Sequence, residues 1–252
     1  MKLQELLNNI PVLETNMDPE TEITGVYYDS RKVQPGSLFV AVTGFVTDGN
    51  KYIPMALEKG AAVVVTAKKP AEDIPYVLVE SDRYALAMIG TNFYGHPAKS
   101  MTMIGVTGTN GKTTISYLVN HIFRAAWQRA GLIGTIIYDN GERRTTSSNT
   151  TPGCALLQSM LAEMVKNGCR AAAMEVSSHA LHQHRTTGTD FRVGIFTNLT
   201  QDHLDYHGTM EEYTRMKMRM FQNQTADGNQ EPFPAGMIAD SADTAGAGSA
   251  VV

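Results

Sequence analysis

Cysteine is scarce: Cys154 and Cys169 are the only two in 252 residues, and they lack the spacing of a metal-ligand pair. A disulfide framework is excluded, and reduced thiols of a cytoplasmic protein are expected. Long hydrophobic runs are also missing, so no membrane span is predicted. The opening Met1-Lys2-Leu3-Gln4-Glu5 leads into no apolar signal-peptide core. Positive charge is not in excess, because 21 lysines and arginines stand against 25 aspartates and glutamates, and no basic stripe occurs. That argues against general nucleic-acid binding. The expectation is a globular, cytoplasmic monomer, long enough for one large domain or two ordinary ones.

The most informative stretch is Gly105-Val106-Thr107-Gly108-Thr109-Asn110-Gly111-Lys112-Thr113-Thr114. The apolar Met101 to Ile104 precedes it, and Ile115, Leu118, Val119, Ile122 and Phe123 follow with helical spacing. This reads as strand, glycine loop and helix. Gly108 and Gly111 allow a tight turn with several N–H groups pointing inward. The helix start adds partial positive charge and Lys112 a full one. Thr113 offers a hydroxyl to a phosphate-bound Mg²⁺. The spacing departs from the strict phosphate-loop pattern, since Val106 stands where its first glycine would be. With strand, loop and helix in register, a nucleoside triphosphate site is expected, rather than a chance Gly-Lys-Thr in a turn.

Residues 1 to 98 read as a separate small α/β unit. Leu3, Leu6, Leu7 and Ile10 have helical spacing, Ile23 to Tyr28 alternates like a strand, and Leu38 to Val42 is a buried strand. A helix over Tyr52 to Lys59 closes at Gly60, strands follow at Ala62 to Thr66 and Tyr76 to Val79, and Tyr84 to Tyr94 is a helix. Asp29-Ser30-Arg31 and Gly44 to Gly49 are strand-end loops, where ligands bind in α/β sheets. Ordinary turn chemistry explains them equally well.

The second domain, 99–222, continues after a helix ending near Trp127 with one strand over Gly131 to Ile137 and an Asp139-Asn140-Gly141 turn. Asn149-Thr150-Thr151-Pro152-Gly153 opens a helix ending at Gly168, with Thr151 as the expected cap and Pro152 at the first position. The strand Arg170 to Met174 delivers Glu175 to its carboxyl end, a usual place for an Mg²⁺-holding carboxylate. His179, His182 and His184 suggest zinc, but no cysteine completes a tetrahedral set. Val193 to Phe196 is another buried strand, and the polar Thr197 to Asp205, with His203, faces the same edge. Thr209 and Glu212 form a capping box for a last helix, in which Lys217 reads by itself as a solvated surface lysine. Residues 223–252 read as a loosely ordered tail.

These residues together resemble the Mur ligases, ATP-dependent amide-forming enzymes of peptidoglycan precursor synthesis. The motifs are the phosphate loop, Asn149-Thr150-Thr151-Pro152, Met174 to His179, Gln183-His184-Arg185, Thr197 to Gly208, and Asp29-Ser30-Arg31 with the later Asp48-Gly49. The similarity spans about residues 20 to 221 and points to members that add a diamino acid. The implied fold is a small amino-terminal α/β uridine-binding domain and a phosphate-loop, mostly parallel α/β central ATPase domain. The central domain is expected to be incomplete and the carboxy-terminal ligase domain absent. Gly236 to Asp243 only faintly echoes the strand and acidic turn with which the family continues.

The resemblance also implies roles. Gly108, Thr109, Asn110, Gly111, Lys112, Thr113 and Thr114 would bind ATP. Tyr28, Ser30, Phe45, Val46 and Thr47 would hold the UDP part of UDP-N-acetylmuramoyl-L-Ala-D-Glu. Asn149, Thr150, Thr151, Ser177, Gln183 and Arg185 would contact its muramoyl-dipeptide side. Thr113, Glu175, His203 and a carbamylated Lys217 would serve Mg²⁺, with Lys112, Lys217 and His203 catalytic. The amine would be meso-diaminopimelate or lysine, and the product would feed cell-wall growth, cell shape and division. Two alternatives stay open. One is a non-catalytic fragment that binds nucleotide or UDP-precursor. The other is a folylpolyglutamate-synthase-like ligase with the same glycine loop, against which the uridine-domain motif and Asp202 to Gly208 argue.

Overall fold

The computed structural model describes residues 1–44, 47–224 and 230–232. Phe45, Val46 and the stretch Gly236 to Asp243 lie outside the described residues. The chain forms two compact units, Met1–His96 and Pro97–Val252.

In the first unit, α1 (Leu3–Leu6), β1 (Val12–Thr15), β2 (Val26–Tyr27), β3 (Leu38–Ala41), α2 (Ile53–Glu58), β4 (Val63–Thr66), β5 (Tyr76–Val79) and α3 (Asp82–Phe93) follow in order. The sheet runs β1-β5-β4-β3-β2, parallel except for β1. β3 and β4 lie inside it and are buried at every position, as expected of runs of Val, Leu and Phe covered on both faces. Phe39, Ala41 and Val64 pack with Val33, Ala56 and Ala61. Ser81 caps α3 by accepting from the Tyr84 N–H.

Three expectations change here. α1 is a single turn, although its spacing correctly marks Leu3, Leu6 and Ile10 as buried. The strand over Ile23 to Tyr28 shrinks to Val26–Tyr27, because the Ile23 and Thr24 amides donate to Met1 and Gly36 instead. β1 was not foreseen: all four of its residues are exposed, so no burial alternation marks it.

In the second unit, β6 (Thr102–Thr107), α4 (Lys112–Trp127), β7 (Gly131–Ile133), β8 (Ile137–Asp139), β9 (Arg144–Thr146), α5 (Cys154–Lys166), β10 (Ala171–Glu175), α6 (Ser178–His182), β11 (Val193–Phe196), α7 (Leu204–His207), α8 (Met210–Met218), β12 (Gln222–Gln224) and β13 (Gln230–Pro232) follow. The main sheet runs β11-β6-β10-β7-β8-β9, its first four strands parallel and its last two antiparallel. Successive residues of a strand face opposite layers. Ile104 and Ala171 pack with Phe123 and Val119 of α4. Met103, Ala172 and Met174 join Leu157, Leu161 and Met164 of α5. The parallel strands are thus covered by α4 on one face and α5 on the other. β12 and β13 pair antiparallel within the stretch expected to be loosely ordered.

The strand expected over Gly131 to Ile137 is instead two strands with a reversal at 134–136. The Thr135 amide donates to the Glu175 carboxylate (2.9 Å), which draws the chain out of the sheet. A Cβ on Gly134 would stand 2.3 Å from Glu175 Oε1, so this close approach requires glycine. The turn after β8 forms as read: Asp139 and Asn140 accept from the amides of Gly141, Glu142 and Arg143. The helix after Pro152 starts later than expected, with Gly153 as cap. Thr151 is not the cap because its hydroxyl is drawn to the Glu175 carbonyl (2.8 Å). No helix among the described residues is long and apolar enough to cross a membrane.

Candidate nucleotide and precursor site

β6 ends at Thr107, and the next four residues turn into α4. Gly108 has φ +140°, and a Cβ there would meet the Thr197 hydroxyl at 2.0 Å, so only glycine lets the loop pass this close to the segment after β11. That segment laces the loop in place. The Thr109 amide donates to the Asn198 carbonyl (2.9 Å), the Asn110 amide to Asn198 Oδ1 (2.9 Å), and the Thr197 hydroxyl to the Asn110 carbonyl (2.6 Å). From α8, the Tyr213 hydroxyl pairs with that of Thr109 (3.1 Å). Gly111 caps α4 and Thr114 is exposed in its first turn.

Two lysines converge on the loop. Lys112 Nζ donates to the carbonyls of Gly108 (3.0 Å) and Thr109 (2.8 Å). Lys217 Nζ donates to the same Gly108 carbonyl (2.8 Å) and lies 4.5 Å from the centre of the Tyr213 ring. Lys217 is buried, not the solvated residue its position in an amphipathic helix suggests, because α8 turns this face inward with Tyr213 and Met216. Burial, then the charge of Lys112, pulls its ammonium down to about 7. Burial also lowers Lys112, opposed by Glu175 and Asp202.

Glu175, wholly buried at the end of β10, accepts from the Thr113 hydroxyl (2.9 Å) and from the Thr135 amide (2.9 Å) and hydroxyl (3.0 Å). A carboxylate and a hydroxyl side by side beside a phosphate loop are hard oxygen donors that fit Mg²⁺. His203 is exposed, in the left-handed conformation as cap of α7, with its ring centre 4.9 Å from that of His179. Burial, then His203, His207 and Arg185, hold His179 at about 4, so it is neutral at pH 7. Among the described residues no three His, Cys, Asp or Glu side chains form a metal-holding group.

Next to Glu175 the structure gathers the residues expected on the muramoyl-dipeptide side. The Thr150 hydroxyl lies 3.0 Å from that of Thr135, whose proton goes to Glu175, and the Asn149 carbonyl accepts from Tyr138 (2.6 Å). Thr151 accepts from the Ser177 amide (3.1 Å), while Ser177 caps α6. Arg185 donates to the Thr151 carbonyl (2.9 Å) and, through two nitrogens, to Gln183 Oε1 (3.1 and 2.7 Å). In the first unit, Tyr28 is exposed and Ser30 is buried with its hydroxyl 3.3 Å from Met55 Sδ. The Thr47 carbonyl accepts from Gly44.

A Mur ligase middle domain matches residues 106–238, more than half of the chain, and a second pattern described as Mur ligase family, catalytic domain, matches 22–98. The chain belongs to the Mur ligase family. Curated relatives named UDP-N-acetylmuramoyl-L-alanyl-D-glutamate–2,6-diaminopimelate ligase include one from Bacillus licheniformis, 45% identical over 230 residues, which are 91% of this chain and 47% of the relative. One from Clostridioides difficile is 43% identical over 222 residues, 88% of this chain and 46% of the relative. A solved structure with the same enzyme name superposes with a TM-score of 0.73 at 31% identity, covering 88% of this chain and 45% of the other. MurF from Acinetobacter baumannii, at 20% identity and TM-score 0.60, shares the fold. The chain therefore spans about half the length of the curated relatives it matches.

Reading this Mur ligase chain by sequence missed Thr135, Tyr206 and Tyr213. Thr135 was placed inside a strand, and its role needs the reversal at 134–136 to be seen. Tyr213 carries a signal, since it lies four residues before Lys217 and so on the same helical face.

Proposed function

We propose that this chain is the nucleotide- and precursor-binding half of a ligase that adds meso-diaminopimelate to UDP-N-acetylmuramoyl-L-Ala-D-Glu at the expense of ATP. The observation that carries the reading is the convergence of Lys112, Lys217, Thr113 and Glu175 at one phosphate loop. It occurs in a chain 45% identical to relatives named for that reaction. The loop amides and Lys112 bind the phosphates of ATP. Thr113 and Glu175 would hold Mg²⁺, with His203 and a carbamylated Lys217 as further ligands. The metal would supply charge neutralisation between the phosphates and an approaching carboxylate.

The D-Glu γ-carboxylate oxygen forms a bond to the γ-phosphorus, and the β–γ bridging oxygen leaves with ADP. The diaminopimelate amine then forms the amide and releases phosphate and a proton. The first step brings two anions together, so the chain's own work is positioning and charge compensation. Lys217 contributes in a particular way. Held near 7, its amine is substantially neutral at physiological pH and able to bond CO₂, losing a proton to become an anionic carbamate. Tyr28, Ser30 and the 45–47 loop take the uridine diphosphate, and Asn149, Thr150, Thr151, Ser177, Gln183 and Arg185 the muramoyl dipeptide. The setting is cytoplasmic peptidoglycan synthesis, serving cell shape and division, by a monomer.

The test is a mass-spectrometric product assay with ATP, Mg²⁺, UDP-N-acetylmuramoyl-L-Ala-D-Glu and either diaminopimelate or lysine. Tripeptide in the diaminopimelate tube is the outcome expected of a complete ligase; product in the lysine tube alone would reassign the amine. A second reading is a module that binds both ligands without turnover, since the nucleotide loop and the precursor-side residues both lie in this chain. It is distinguished by precursor and ATP binding in titrations without product. Failure of both ligands to bind would overturn both readings.

A further inference from the structure

Tyr206, in α7, has no part in the reading above, yet its side chain bonds to Gln183, which does. Its ring lies against that of His179, with centres 4.0 Å apart and the planes tilted by 36°. Its hydroxyl is 2.8 Å from His182 Nδ1 and accepts from Gln183 Nε2 at 3.1 Å. A hydroxyl has one proton to donate, so giving it to His182 leaves the oxygen to receive the Gln183 amide. That contact decides which way the amide points. With its NH₂ on Tyr206, Gln183 turns its carbonyl toward Arg185, whose Nε and one terminal nitrogen donate to it at 3.1 and 2.7 Å. The reverse orientation would aim two N–H donors at a guanidinium that has only donors. Arg185 is thereby set with its other terminal nitrogen on the Thr151 carbonyl.

We propose that Tyr206 is a positioning residue for the precursor: its hydroxyl fixes the Gln183 amide, and through it the Arg185 guanidinium that faces the muramoyl-dipeptide side. This rests on the assignment of Gln183 and Arg185 to that side.

Calorimetric titration of the 252-residue chain tests the proposal. UDP-N-acetylmuramoyl-L-Ala-D-Glu and, separately, MgADP are titrated into wild type, Tyr206→Phe, Gln183→Leu and the double variant. Phenylalanine keeps the ring on His179 and removes only the hydroxyl. The expected result is precursor binding weakened about tenfold in Tyr206→Phe, the size of one hydrogen bond made to an oriented group. MgADP affinity and thermal midpoint should stay unchanged, and the double variant should bind precursor no worse than Gln183→Leu. Tyr206→Phe binding precursor like wild type overturns the proposal, as does an equal loss of MgADP affinity, additive losses in the double variant, or failure of Tyr206→Phe to fold. A wild type that binds MgADP but no precursor removes the underlying site assignment and this proposal with it; normal wild-type binding with an unaffected Tyr206→Phe removes the proposal alone.

Discussion

Two turns in this chain follow the ends of parallel strands and carry polar residues, yet they are held in opposite ways. The turn after β2 is held mainly from within: Asp29 accepts from the amide, Nε and terminal nitrogen of Arg31, two residues away, and what reaches it from farther along, Lys59 Nζ on the Arg31 carbonyl (2.6 Å) and Met55 beside the Ser30 hydroxyl, comes from α2 and the residue that ends it. The turn after β6 is held from far along the chain, by Thr197 and Asn198, by Tyr213, and by Lys217. The first leans chiefly on its own residues and on neighbouring α2. The second exists only when β11, α8 and the strand bearing Glu175 are all in place. Substitutions in the nucleotide loop and its supports, apart from the buried ammonium of Lys217, should therefore cost stability and binding together, whereas those in the Asp29–Arg31 pair should touch binding alone.

The largest effect is expected at Glu175. Glu175→Ala takes the acceptor from the part-buried hydrogen bonds of the Thr113 hydroxyl and the Thr135 amide, at about 1 kcal/mol each, and empties the place of a wholly buried side chain. Urea unfolding should show a loss of about 3 kcal/mol or more, and ATP–Mg²⁺ titration no binding. An unchanged midpoint would put Glu175 in the same class as the Asp29 turn and break the contrast. Gly108→Ala comes next. Its backbone is at φ +140° and the added Cβ would meet Thr197, so about 2 kcal/mol and most of the nucleotide affinity should go. Thr197→Ala in the same chain removes the facing hydroxyl, and partial recovery of stability would assign the clash.

How much of this was legible beforehand follows the same division. The phosphate-loop helix Lys112–Trp127 and the strands Tyr76–Val79 and Val193–Phe196 fall where their apolar spacing puts them. Local pattern was enough there, since the burying partner lies along the whole element. It failed where a distant residue decides. Thr151 has every local mark of a helix cap, but the Glu175 carbonyl takes its hydroxyl. Gly131 to Ile137 reads as one strand until Glu175 pulls the Thr135 amide aside. Lys217 looks solvated on composition, and only the family motif changed that expectation before its burial was seen. The edge strand Val12–Thr15 was missed because exposure on all four residues leaves no pattern.

Lys217 sharpens the contrast by pH. Its ammonium titrates near 7 when folded against an ordinary 10.5, so between these values the unfolded chain binds the extra proton. Stability should then rise with pH from about 7 toward 10.5 and be penalised below 7. Lys217→Met removes the titration. Its urea midpoint should exceed that of wild type at pH 6, the difference shrinking as pH rises, even as nucleotide binding falls. A parallel pair of pH profiles would mean that the buried amine is charged in the folded chain and that the loop tolerates two adjacent ammonium groups.

The smallest effect is expected in the other turn. Arg31 is largely exposed, and its pairing holds the Asp29 carboxyl down to about 2. A depressed carboxyl stabilises the fold above its ordinary range and loses that contribution as pH falls from about 4 toward 2. Solvent screening makes the contribution of such a pair slight. Arg31→Ala should leave the urea midpoint unchanged at pH 7 and at pH 3, while a titration with UDP detects any change in ligand affinity. A clear drop in the pH 7 midpoint would show that this turn, too, is braced against the rest of its sheet, and the difference between the two strand ends would then lie in exposure and not in how far along the chain their partners come from.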